Sequence, residues 1–156
     1  MKTLDHVNDP IHLMDIAIRD VREFKRRAKT NNKLVFNVHV WHDITKTGVC
    51  HACVAGAVMS GELEVPDDQE ARLTHFPSAT RARLEFLDNI RMGRFIGNPL
   101  FPDREWLNPL MLVMEDSPAD LMQSLNAGNV AAWEKLRDKV VETADELDLE
   151  YVRLEE

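Results

Sequence analysis

Apolar residues recur at helical spacing through the first part of the chain. Met14, Ala17, Ile18, Val21, Phe24 and Ala28 fall three or four apart, which predicts an amphipathic helix over 10–29. Asp9 before Pro10 supplies an N-cap followed by a proline in the first turn, and Thr30, Asn31 and Asn32 end the segment. From Leu34 to Ile44 the period shortens to two. Leu34, Phe36, Val38 and Val40 alternate with Val35, Asn37, His39 and Trp41, which predicts one β-strand with a turn at 45–48. From Val49 to Met59 the residues turn small: Cys50, Ala52, Cys53, Ala55, Gly56 and Ala57. This run predicts a helix ended by Gly61, with Gly56 pressed against a neighbouring element. The acidic stretch 62–70, which contains Pro66, predicts a loop.

The second half reads mostly as helix. Ser78 is placed to cap a helix reaching Met92, with Leu84, Leu87 and Ile90 on its core face and Gly93 just past its end. The segment 106–114 is ambiguous, because Pro109 interrupts a helical reading and Leu110–Met114 could be a short buried strand. Ser117-Pro118 opens a short helix that Gly128 stops. Asn129 caps a last helix whose stripe is Trp133, Leu136, Val140, Ala144, Leu147 and Tyr151. Glu134, Asp138, Glu142 and Asp145 lie on its far side. The expected fold class is mainly α, with α+β as the alternative: about five helices with one short strand or a small sheet. No linker divides the chain, so 1–156 is expected to be a single domain.

Composition narrows the function classes. A hydrophobic fraction of 44% and a charged fraction of 29% in 156 residues fit a folded domain and exclude a disordered chain. The net charge of −8 argues against a basic nucleic-acid binder. No apolar run approaches the ~18 residues of a membrane span, and the first residues lack the apolar core of a secretory leader. The expectations are therefore no membrane partner and a cytoplasmic location.

The densest cluster of reactive side chains is Trp41-His42-Asp43 followed by Cys50-His51-Ala52-Cys53. Cysteine and histidine are preferred zinc ligands, so Cys50, Cys53, His42 and His51 form a candidate thiol or metal cluster, with His75 a further candidate ligand. No second ligand pair completes a tetrahedral site, so the plainer expectation is no cofactor and two cysteines acting as small buried hydrophobes. His39 and His42 fall on opposite faces of a regular strand and do not converge there. A strand followed by Cys-x-x-Cys at a helix start is also the order of thioredoxin-like oxidoreductases, where the helix N-terminus stabilises a thiolate. Asn108-Pro109-Leu110 would then stand where that fold keeps a cis-proline strand.

Charge is distributed unevenly. Residues 19–33 carry seven basic and two acidic side chains, whereas 134–156 carry four basic and nine acidic ones. Arg19, Arg22, Arg26 and Lys29 share one face of the first helix and form a candidate basic docking face for an acidic protein. The simpler reading is a solvated face set against the acidic last helix. Walker, GxGxxG, GxSxG and HExxH motifs are absent.

The block Gly48-Val49-Cys50-His51-Ala52-Cys53-Val54-Ala55-Gly56-Ala57-Val58-Met59, with Trp41-His42 before it, resembles one found in small uncharacterised phage and prophage proteins. Pro77-Ser78-Ala79-Thr80 and Leu87-Asp88-Asn89-Ile90-Arg91 are similar to the second half of that block. The resemblance covers 40–97 and implies an origin more than a mechanism: an accessory protein in the cytoplasm of a bacterial host. Together these features lead to the expectation of a non-enzymatic phage or prophage protein that binds a host or phage protein. The alternatives are a thiol-redox or zinc-binding protein using Cys50 and Cys53, and an acidic DNA mimic built on the last helix.

Overall fold

The computed structural model describes residues 2–154. Its elements in chain order are α1 (Pro10–Ala28), β1 (Leu34–Phe36), β2 (His42–Ile44), β3 (Cys50–Ala52), α2 (Val54–Gly61), α3 (Ser78–Arg91), α4 (Leu107–Glu115), α5 (Ala119–Asn126) and α6 (Val130–Glu146), with 3-10 turns at Leu73–His75 and Arg104–Trp106. The fold is mainly α with a small sheet.

Local signals explain most helix ends. The Asp9 carboxylate accepts the His12 N–H at 2.7 Å and starts α1, with Pro10 inside the first turn. The Asn129 side chain accepts the Ala132 N–H at 3.1 Å and starts α6. Helix α3 begins at Ser78 itself with Pro77 in the cap position and no side-chain cap bond, so Ser78 is the first helical residue and not the expected cap. At its far end Gly93, with φ +74°, allows the Gly93 and Arg94 N–H groups to return to the Ile90 and Asn89 carbonyls. The ambiguous segment resolves as helix α4. Pro109 is its third residue, where the missing N–H has no intrahelical acceptor to lose. It is therefore not a cis-proline strand; the cis peptide bond lies at Phe101–Pro102.

Two expectations around the sheet also require correction. The strand expected over 34–44 is two strands, both paired to β3, in the order β1-β3-β2. β1 runs parallel to β3 and β2 antiparallel, so the chain between them must cross from one edge of the sheet to the other. Asn37 breaks the ladder there, since its side chain accepts the His39 N–H at 2.9 Å and turns the backbone away. The helix expected from Val49 starts only at Val54. Cys50–Ala52 is the central strand, with Cys50 and Ala52 buried and its backbone paired on both sides, a tertiary preference that outweighs alanine's helical one.

The core lies where α1 packs on α2 and α6, α2 on α3, and α4 on α6. Ile11, Leu13, Met14, Met59, Leu84, Leu87, Trp106 and Trp133 are fully buried in it. The α6 stripe is buried from Trp133 through Ala144, but Leu147 is 54% exposed because the helix ends at Glu146 and Leu147 is its cap. Gly56 lies against the Trp41 carbonyl as the small-residue pattern predicts. Gly61 leaves room for Asp20, whose carboxylate accepts the Glu62 N–H at 3.1 Å and so finishes α2.

Candidate functional site

The β2–β3 pairing brings two of the four predicted thiol-cluster residues together. His42 opens β2 and Cys50 opens β3, and the antiparallel register sets His42 opposite Ala52 and Ile44 opposite Cys50. The His42 ring is fully buried. Its Nε2 lies 2.9 Å from Ser60 Oγ of α2 and 3.6 Å from Cys50 Sγ. The Gln69 backbone lies close enough to favour a charged ring, yet Nδ1 has no hydrogen-bond partner of normal geometry among the described residues. Burial dominates and lowers the His42 pKa. Burial also pushes the Cys50 thiol up to about 11, helped by Asp67 and opposed by Arg27. The pair is therefore held as neutral thiol and neutral imidazole, the reverse of the thiolate–imidazolium state an activated cysteine needs.

Cys53 and His51 do not join them. Cys53 is the cap residue of α2 and is buried; desolvation raises its pKa although the Gly56 and Ala55 backbone favours the thiolate. The charges acting on Cys53 are Arg91 and Asp88 of α3, whereas Asp67, Arg27 and Asp43 act on Cys50, so the two thiols look onto different surroundings. His51 is half-buried, with Nδ1 3.1 Å from Asn37 Nδ2. His75 accepts the Arg72 N–H through Nδ1 and lines a cleft of about 500 Å³ with Leu63, Val65 and Phe76. Among the described residues, no three His, Cys, Asp or Glu side chains converge in a geometry that could hold a metal ion.

The candidate basic face of α1 is largely matched by the protein's own acids. Arg19 binds Asp20 at 3.0 Å and Glu62 at 2.5 Å, Arg22 binds Glu134 at 3.3 Å, and Arg26 binds Glu23 at 2.5 Å. Lys29 is exposed at the helix end. Arg19 and Arg22 line a cleft of about 550 Å³ shared with Arg137 and Arg153, both of which bind the buried Asp15. The Arg22–Glu134 pair joins α1 to the acidic helix, the simpler of the two sequence readings.

Sequence patterning missed one surface. Five large apolar side chains stand in solvent between positions 92 and 112: Met92 (40% exposed), Ile96 (55%), Leu100 (51%), Met111 (47%) and Leu112 (61%). The loop carrying the first three is anchored by Phe95 and Phe101, whose rings meet Phe86 edge-on at 6.1 and 5.3 Å. Gly97 lies against Leu107 of α4, so the loop and the helix touch at that point. Large apolar side chains left in solvent, where they form a patch, mark places where another molecule binds.

No family model, curated protein or solved structure matches this chain. No helix among the described residues is long and apolar enough to cross a membrane.

Proposed function

We propose that this protein is a non-enzymatic accessory protein of phage or prophage type, which works in the bacterial cytoplasm by binding another protein. The observation that carries the reading is the exposed apolar surface of Met92, Ile96, Leu100, Met111 and Leu112. These side chains are about half exposed, so leaving them in water forgoes on the order of 1 kcal/mol for each one that a partner could bury. The phage origin rests on the Cys-x-x-Cys-x-Ala-Gly-Ala-Val-Met block. The buried, neutral His42–Cys50 pair and the separate surroundings of Cys53 give no support to a redox or zinc reading.

The test is cross-linking in bacterial lysate followed by mass spectrometry, with wild type and Ile96→Glu compared. Cross-links from residues 92–112 to a defined protein, lost in the variant, would support the reading. Cross-links unaffected by Ile96→Glu would remove its basis.

A further inference from the structure

A cleft of about 610 Å³ opens where the 3-10 turn Arg104–Trp106 meets residues 8–9 and the segment after α6. Asp9, Asp103, Glu105 and Glu150 line it, and no lysine, arginine or histidine is among the lining side chains. Asp9 is committed to the His12 and Val152 N–H groups. The other three acids are exposed and make no hydrogen bond or ion pair among the described residues. Asp103 stands in the cap position of the 3-10 turn, yet its side chain makes no cap bond. The bases of the neighbourhood turn elsewhere. Arg153 holds Asp15, Arg83 feels Asp103 but donates to the Val7 and Ala79 carbonyls, and Arg104 does not line the cleft.

Trp106 forms part of the wall. It is 1% exposed, as buried as Trp133, whose indole N–H donates to the Leu125 carbonyl. The Trp106 indole N–H has no acceptor among the described residues, although buried tryptophans ordinarily find one. Among these residues His42 Nδ1 is the one buried, unpartnered side-chain nitrogen sealed from solvent. The Trp106 nitrogen therefore reaches solvent, and the solvent its ring borders is this cleft. An indole N–H only donates. An occupant must bring an acceptor oxygen to Trp106 and positive charge to the three free carboxylates. A metal ion brings no acceptor, and among the described residues no three acidic side chains converge closely enough to hold one. A polyamine likewise brings charge alone.

We propose that this cleft binds a basic segment of a partner protein, with lysine or arginine side chains on Asp103, Glu105 and Glu150 and a backbone carbonyl accepting the Trp106 N–H. A peptide meets both halves of the requirement at once. Its carbonyls are strong acceptors, and its guanidinium or ammonium groups pair with carboxylates through charge-assisted hydrogen bonds. The chain's net charge of −8 also draws a basic partner in from a distance. None of the five exposed apolar side chains between positions 92 and 112 lines the cleft, so this site stands apart from that surface and does not depend on it.

The probe is a short fluorescein-labelled peptide of alternating arginine and glycine, titrated with the intact chain up to about 1 mM and followed by anisotropy. The indole N–H resonance of Trp106 is followed by NMR with the same peptide unlabelled. Binding should saturate and should weaken with added salt. The Trp106 resonance should move downfield as the N–H gains its acceptor, and spermidine should leave it in place. Asp103→Asn, Glu105→Gln and Glu150→Gln combined should raise Kd by at least about tenfold. Glu64→Gln, Asp68→Asn and Glu115→Gln combined remove the same charge outside the cleft and should change Kd by less than about twofold. All six carboxylates are exposed, and circular dichroism checks that each variant keeps the fold. Absence of binding, equal weakening by the two sets, or a Trp106 resonance that the peptide leaves unmoved would overturn the proposal. A shift with spermidine equal to that with the peptide would do so too, because the acceptor would then be unnecessary.

Discussion

The carbonyl oxygen of Trp41 occupies the place where a side chain at position 56 would begin: a Cβ on Gly56 would lie 1.6 Å from it. The obstacle is backbone, joined to the sheet by the adjacent β2, so it cannot swing aside as a flexible side chain would. Gly56→Ala should destabilise the protein by about 3 kcal/mol or more, the upper end of overpacking costs. Urea unfolding measures it, and a loss below about 1 kcal/mol would mean the α2–sheet contact yields easily.

Trp133 fills the core beside α5, and its indole N–H donates to the Leu125 carbonyl at 3.0 Å. Trp133→Ala should cost about 3–5 kcal/mol. Trp133→Phe keeps much of the packing and removes only this hydrogen bond, since the Leu125 carbonyl still accepts the Gly128 N–H at 3.0 Å, and should cost about 1 kcal/mol. Equal losses for the two variants in thermal unfolding would show that volume contributes little.

Asp20 gives the protein a pH-dependent element. Burial raises its pKa from 3.8 to about 6, against the pull of Arg19. Between those values the folded chain keeps a proton that the unfolded chain releases. The contribution of this group to stability is therefore full below about pH 4, falls as pH rises, and is lost above about pH 6. A displacement of that size corresponds to on the order of 3 kcal/mol. Asp20→Asn cannot ionise, so its stability relative to wild type should rise across that window. Parallel stability curves from pH 4 to 7 would show that Asp20 ionises in the folded protein as it does in water.

Both thiols should be inert in the native state. With Cys50 pushed up to about 11 from 9.0, the thiolate fraction at neutral pH falls about a hundredfold before any effect of burial on access. Iodoacetamide at pH 7.5 should label Cys50 and Cys53 far more slowly than glutathione, and at the ordinary rate once urea unfolds the chain. Rapid labelling of Cys50 in the folded protein would reopen a catalytic role for the His42–Cys50 pair.

How much of this was legible in the sequence depended on where each instruction resides. Asp9-Pro10, Asn129 and Gly93 act on backbone within a few residues of themselves, and α1, α6 and the end of α3 begin or stop where they indicate. Gly56 could be read because a run of small residues has few uses other than close approach. Cys50–Ala52 could not be read as a strand, because its conformation is imposed by β1 and β2 on either side. The same register decides that Cys50 meets His42 while Cys53 does not, so cysteine spacing alone could not sort the candidate cluster. Residues 110–114 are apolar on every side, and such a pattern does not distinguish a buried face from an exposed one. The structure separates Leu110 and Val113 from Met111 and Leu112.

Asp9 and Asp15 carry a consequence for the order in which the molecule is assembled. Asp9 accepts the Val152 N–H at 2.9 Å, and Asp15 accepts the Leu154 N–H at 3.0 Å while holding Arg137 and Arg153. Both carboxylates are almost wholly buried. As the chain leaves the ribosome, α1 emerges with Asp9 holding only the His12 N–H and with the other partners of both anions yet to be translated, and burying them in that state would be costly. The helix must therefore keep that face wet through most of synthesis. It can dock fully only once residues 137–154 arrive, so α1, made well before them, is among the last elements to be sealed.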